Sequence, residues 1–153
     1  RHTMIDENLI KINLICESQD EVFHYLATLV VDNGYANNTE SVVQALKLRE
    51  SEGTTGMMEG FAIPHAKDKS IVKPSIAILK LKTGVEWHSM DGQLINNVIA
   101  LFIPEKEAGT THLKVLSQIA RLLVNKTFKE KIKEADTILE LKELLTEKLD
   151  LTS

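Results

Sequence analysis

The stretch GFAIPHAKDK, residues 60–69, places His65 after a short apolar run and a proline, with Lys67 two residues further on. An imidazole ending a strand can be a packed core residue, a metal ligand or a nucleophile, because a neutral ring nitrogen is present near neutral pH. Pro64 fixes its own φ, lacks an N–H and restricts Ile63 to extended conformations, so a stiff backbone delivers the ring. A second imidazole, His112, opens the run HLKVLSQIARLL. In the first turn of a helix it would feel the positive end of the helix dipole, which disfavours imidazolium and favours an anion such as phosphate nearby. The alternative is an ordinary polar first-turn residue. Arg49 stands near the end of an earlier helical run, beside Glu50 and Glu52. It is either an exposed ion-pair partner of those carboxylates or a planar fork of donors for phosphoryl oxygens, which a lysine cannot copy.

The other candidates read more plainly. His24 and His88 fit surface positions, and Trp87 a core or loop anchor. Convergence of His65, His88 and His112 on a metal is conceivable, but no HxH, HExxH or Cys/His pairing at ligand spacing supports it, so neither metal nor cofactor is expected. Walker A, GxGxxG and GxSxG signatures are missing, which leaves nucleotide-dependent kinase, dinucleotide-enzyme and serine-hydrolase readings without support. A formal net charge of −4 with no block of Lys and Arg argues against nucleic acid as a partner. The one cysteine, Cys16, allows no internal disulfide and fits a reducing cytoplasm. No apolar run approaches the roughly 20 residues needed to span a bilayer, so no direct membrane insertion is expected.

These residues must be positioned by a framework, and 153 residues with 43% hydrophobic content suffice for one compact domain. Residues 1–4, RHTM, read as an expression remnant outside a domain over 5–153. Alternation in LIKINLI at 9–15 predicts a strand. Ser18 with Glu21 forms a capping box for a helix carrying Val22, Leu26, Leu29 and Val30, ended by Asn33-Gly34. Asn38 or Thr39 caps a second helix with Val42, Val43, Ala45 and Leu46, stopped near Gly53. Gly53, Gly56 and Gly60 predict tight turns or a short hairpin ahead of His65. SIAILKL at 75–81 and NVIALFI at 97–103 read as strands, the second so apolar that it should be central, with Val85 to His88 a short strand or loop between them. A helix capped by Thr110 or Thr111 carries Leu113, Leu116, Ile119, Ala120 and Leu123; another follows near Phe128 and Ile132. Thr137 and Glu140 box the start of a last helix with Leu141, Leu144 and Leu145. The pattern predicts a single layered α/β domain, a mixed β-sheet flanked by α-helices.

Three stretches, TGMMEGFAIPHAKDKSIVKPSIAI, GVEWHSMDGQLINNVIALFIPE and HLKVLSQIARLL, together resemble the fructose/mannitol-type enzyme IIA domain of the bacterial sugar phosphotransferase system. The likeness runs from about residue 8 to 146, with IPHA as its most specific piece. It implies that His65 is the phosphorylated residue, that His112 is a second active-site imidazole and that Arg49 supports the phosphoryl group. It further implies a relay: phosphate arrives from the phosphocarrier HPr on the ring nitrogen distal to the backbone and leaves to a cysteine of an enzyme IIB, which serves a membrane IIC permease. The alternative is a regulatory module of the same fold whose His65 phosphorylation state controls a partner. Many relatives have an acidic residue where Thr111 stands, which puts a charge contact there in doubt. Met57, Met58 and Phe61 lie upstream of His65, and flexible methionines suit a face that repacks against different partners, although core packing accounts for at least one of the three.

Overall fold

The computed structural model describes residues 4–107 and 109–149, leaving aside the side chains of Thr110 and Thr111. Its sheet is built from β1 (Ile5–Leu14), β4 (Ser75–Val85), β5 (Ile95–Pro104) and two short strands, β2 (Phe61–Ala62) and β3 (His65–Asp68). The order is β1-β4-β5-β2, with β3 also on β5. β1 runs parallel to β4, β4 antiparallel to β5, and β2 and β3 parallel to β5, so the sheet is mixed as expected. β5 is buried along almost its whole length, in keeping with its central place.

Alternate residues enter two separate cores because strand side chains point to opposite faces. Ala77, Leu79, Val98, Ala100 and Phe102 pack with Val22, Leu26, Val43 and Leu46 of α1 (Gln19–Asp32) and α2 (Thr39–Ser51). Ile76, Ile78, Ile99, Leu101 and Ile103 pack with Val115, Ile119, Phe128, Ile132, Leu141 and Leu145 of α3 (Thr110–Leu122), α4 (Lys126–Glu134) and α5 (Ile138–Lys148). The result is a helix–sheet–helix sandwich. Each expected cap at Ser18, Asn38 and Thr137 is formed, the side chain accepting from Glu21 N–H, Ser41 N–H and Glu140 N–H respectively.

Several expectations need correction. His65 opens a strand rather than ending one: Phe61 pairs with Asn97 and His65 with Leu101, a common register interrupted only at Ile63-Pro64, where proline has no N–H to offer. Met4, assigned to an expression remnant, is 4% exposed and its carbonyl accepts from Ile76 N–H, so the first strand starts well before residue 9. The N-cap of α3 is Gly109, with φ of 124°, which places Thr110 and Thr111 inside the first turn instead of at the cap. Helix α2 ends as expected, its C-cap Glu52 followed by Gly53 at φ 149°.

Helix α4 ends against β4. Lys80 donates to the carbonyls of Ile132 (2.8 Å), Lys133 (3.0 Å) and Ala135, so one ammonium satisfies acceptors that the helix leaves open and sits at the negative end of its dipole. Lys80→Met keeps the apolar stem and removes the donors. We expect it to cost roughly 1–3 kcal/mol, read as a lower urea midpoint with an unchanged slope.

Candidate functional site

The edge strand that carries His65 is lined on its outer side by the preceding loop. Ile63 N–H donates to the Thr55 carbonyl at 3.0 Å, Met57 N–H to the Phe61 carbonyl at 2.7 Å, and Gly56 bridges Ala62 in antiparallel fashion. The expected short hairpin is therefore present, with Glu59 (φ 58°) and Gly60 (φ 87°) making its turn. A Cβ on Gly56 would stand 2.8 Å from Trp87 Cδ1 and 2.9 Å from the Ser89 Cα, so the backbone approach here needs glycine.

His65 is 7% exposed and held from both sides. Its Nδ1 lies 3.0 Å from the carbonyl oxygen of Ile63, which can only accept, so Nδ1 carries the proton. Its Nε2 lies 3.0 Å from Nε of Arg49, which can only donate, so Nε2 carries a lone pair. The two contacts demand the same neutral tautomer independently. Burial pushes the His65 pKa down, the Ile63 hydrogen bond pulls it up, and the Arg49 charge pushes it down again. An imidazolium would also turn an Nε2–H towards a guanidinium donor.

Arg49 comes from the last turn of α2 and reaches the sheet margin where β3 lies. Rather than pairing with Glu50 or Glu52, it donates Nε–H to His65 and Nη1–H to the Gly53 carbonyl at 2.8 Å. His112, the third residue of α3, comes from the opposite layer. Its ring centre is 5.5 Å from that of His65, tilted by 51°. Burial lowers its pKa first, with contributions from His65 and Lys67. Its Nδ1 is buried and has no hydrogen-bond partner among the described residues. The structure thus brings together all three residues singled out above, drawn from three elements: α2, β3 and α3.

The remaining histidines stay apart. His24 lies against the Asp20 carbonyl at 2.9 Å on α1, and the side chain of His88 is 91% exposed beside Glu86. Trp87 is the anchor that its type suggested, 2% exposed and edge-on to Phe23 with centroids 5.6 Å apart. Phe61 belongs to the core at 0% exposure and Met57 packs against that core, whereas Met58 is 47% exposed beside the Glu59-Gly60 turn. Any role of the Thr111 side chain lies outside the described residues. A cleft of about 550 Å³ opens at the other end of the sheet between Lys80, Asn97 and Lys133 and contains none of the three site residues. No described helix is long and apolar enough to cross a membrane.

What this arrangement can do is nucleophilic chemistry at Nε2 on a group whose negative charge a guanidinium and a second imidazole can meet. The family model for the phosphoenolpyruvate-dependent sugar phosphotransferase system, EIIA 2, matches residues 3–148. The fructose-specific EIIABC component of Bacillus subtilis is 33% identical over 88% of this chain, which spans about a fifth (21%) of that relative's length. Among solved structures, nitrogen regulatory protein IIA-Ntr from Neisseria meningitidis superimposes with a TM-score of 0.86 at 24% identity, covering 93% of this chain and 96% of that one. Mannitol enzyme IIA from Escherichia coli, in complex with phosphorylated mannitol enzyme IIB, has a TM-score of 0.76 at 21% identity, covering 94% and 99%. At these identities the two structures establish a shared fold.

A histidine whose pKa is lower folded than unfolded binds fewer protons in the folded state between the two values. Its stabilising contribution is present above the unfolded value of about 6.5 and is lost as the pH falls towards the folded value. Both site imidazoles should therefore titrate below about 6.5 by NMR, and the urea midpoint should drop on acidification through that window. The drop should shrink in the His65→Gln/His112→Gln double variant. Midpoints above the ordinary histidine value would refute a neutral, burial-dominated pair.

Proposed function

The chain belongs to the phosphoenolpyruvate-dependent sugar phosphotransferase system EIIA 2 family, and on that premise we propose that it relays phosphoryl groups on Nε2 of His65, taking them from phospho-HPr and passing them to a cysteine of an enzyme IIB. The observation that supports this best is the two-sided hold on the ring: Nδ1–H to the Ile63 carbonyl, and the Nε2 lone pair facing Arg49. The IIB-bound relative and the fused EIIABC relative make a IIB acceptor, and through it a membrane IIC permease, the natural partners to test.

The transfer follows from the geometry. In the resting protein the Arg49 Nε–H occupies the nucleophile's lone pair, a hydrogen bond to a charged donor that is worth about 1.5–3 kcal/mol. The arriving phosphoryl group displaces it. The Nε2 lone pair forms the new N–P bond while the donor's N–P bond breaks and its electron pair returns to the donor imidazole. Arg49 then donates to phosphoryl oxygens instead, so its hydrogen bonds are exchanged and not lost. Positive charge growing on the His65 ring strengthens the Nδ1–H bond to Ile63, and His112 meets the phosphoryl group from the α3 side. In the onward step a IIB thiolate attacks phosphorus and the electron pair of the His65 N–P bond returns to Nε2. No metal or cofactor enters the scheme. The setting is cytoplasmic, where phosphocarrier proteins and reduced cysteines coexist.

A regulatory IIA-like module is the second reading, favoured by the fold likeness to the Neisseria nitrogen regulatory protein. The two part at the acceptor. Protein phosphorylated on His65 that transfers to no candidate IIB cysteine, yet alters binding of another partner, supports regulation over sugar uptake.

Enzyme I, HPr and phosphoenolpyruvate should label the protein once with an acid-labile, base-stable phosphate, visible by intact mass, and His65→Ala should abolish it. Label that survives this change, or moves to Ser51 or Thr55, assigns the phosphate elsewhere. Arg49→Lys keeps the charge without the fork. We expect transfer to IIB to slow about tenfold with folding intact, roughly 1.4 kcal/mol, which is less than a full charged hydrogen bond because the lysine ammonium replaces part of it. An unchanged rate would remove Arg49 from the machinery.

A further inference from the structure

The loop between α2 and the edge strand is tied by hydrogen bonds that the relay as described does not use. Glu50 Oε2 accepts from Thr55 N–H at 2.8 Å and Oε1 accepts from the Thr55 hydroxyl at 2.5 Å. Thr55 is 2% exposed, and its Oγ1 also accepts from Trp87 Nε1–H at 3.1 Å. With its proton committed to Glu50 and a lone pair to Trp87, the hydroxyl has one orientation. Trp87 is itself fixed in the core against Phe23, so the loop is anchored to α2 at one end and to the helix-packed core at the other.

The pinned segment carries one acceptor that orients the reactive pair and holds the residue that carries the other. Thr55 offers its carbonyl to Ile63 N–H, and the carbonyl of Ile63 receives His65 Nδ1–H. Two residues before Thr55, the Gly53 carbonyl receives Arg49 Nη1–H. A slack loop would free both carbonyls together, and the imidazole could then exchange its proton to Nε2, the one atom that must keep a lone pair. Glutamate is the residue this role requires. Its two oxygens accept from two Thr55 donors, whereas glutamine has a single accepting oxygen and aspartate is one methylene shorter.

We propose that Glu50, acting through Thr55, is a positioning residue that holds His65 in its Nδ1–H tautomer with Nε2 facing Arg49. The tautomer claim stands on the geometry alone; its effect on rate rests on the reading of His65 as phosphoryl acceptor.

The test uses 15N-labelled protein and the ring nitrogens of His65 in long-range 1H–15N spectra, for the parent, Glu50→Gln, Thr55→Val and Thr55→Ser. The parent should show one neutral tautomer, protonated at Nδ1. Glu50→Gln and Thr55→Val should show exchange-averaged shifts moved towards the Nε2–H form, while Thr55→Ser, which keeps the hydroxyl, should match the parent. Phosphorylation by phospho-HPr should slow about tenfold in the first two variants, with KM for the donor within about twofold, because a misaimed nucleophile reduces the chemical step more than docking. Near-UV circular dichroism of Trp87 reports whether each variant is folded, and if Glu50→Gln is not, Thr55→Val against Thr55→Ser decides. Parent-like tautomers and rates in folded Glu50→Gln and Thr55→Val overturn the proposal. If the parent takes no phosphate from HPr but the tautomer still shifts in the variants, the relay reading fails and the positioning role stands.

Discussion

Everything at this site depends on one imidazole being held between an acceptor and a donor. The Ile63 carbonyl fixes the proton on Nδ1 and the Arg49 Nε–H faces the lone pair on Nε2. Each contact alone already selects the Nδ1–H tautomer for this ring orientation. Together they leave one arrangement in which both nitrogens are satisfied. The rest of the fold supplies these two contacts from different layers: the edge strand brings the ring and its carbonyl, and helix α2 brings the guanidinium round the sheet margin. The interruption at Ile63-Pro64 belongs to the same constraint. Proline removes a ladder donor, and the Ile63 carbonyl, two residues before the histidine, accepts from the ring it precedes.

The helices and long strands were legible in the sequence because their signals are local. Ser18, Asn38 and Thr137 each place a side-chain acceptor before an amphipathic run, and each caps the helix it was expected to cap. The short strand β3 was not legible as a strand, and β2 was legible only as the apolar run before His65. A two-residue and a four-residue segment have no period to read, and pairing with the central β5 creates them. Met4 was lost for a related reason: a single apolar residue after three polar or basic ones carries no pattern, while its burial follows from the neighbouring Ile76 N–H and the second core. Gly109 displaced the threonines as cap because a residue with φ of 124° can start α3 where no side-chain bond does.

For the site, the residue types of His65, His112 and Arg49 were informative and their partners were not. An ion pair between Arg49 and its neighbours Glu50 or Glu52 is the local expectation on a helix, yet Glu50 turns the other way, to Thr55. That contact closes a five-residue loop whose path is set by Gly53 and by the Trp87 ring, which is contributed from more than thirty residues away. Signals of this kind are pairings between distant segments, and no window along one sequence contains them. Trp87 shows the limit well: its burial was readable from its size, but not that its Nε1–H would meet Thr55 in the loop after α2.

On the proposed relay, His112 introduces an asymmetry between the free and the phosphorylated states. Its Nδ1 is buried without a partner among the described residues, and an unsatisfied buried polar atom costs about 1–3 kcal/mol. Its own charge is disfavoured by burial and by the neighbouring His65 and Lys67. On the proposed relay, a phosphoryl group on His65 would bring negative charge and acceptor oxygens close to a ring centred 5.5 Å away, which favours the protonated form of His112. Arg49 changes in the same direction, exchanging a neutral nitrogen for anionic oxygens. The resting site is thus a poorer electrostatic match to its own side chains than the loaded site, so part of the energy of an N–P bond is balanced by interactions that only the loaded state makes. A relay intermediate needs this, because a carrier that held phosphate too weakly would not load and one that held it too strongly would not pass it on. On the proposed relay, the neutral, buried imidazole pair beside the cations Arg49 and Lys67 holds phosphate between those two failures.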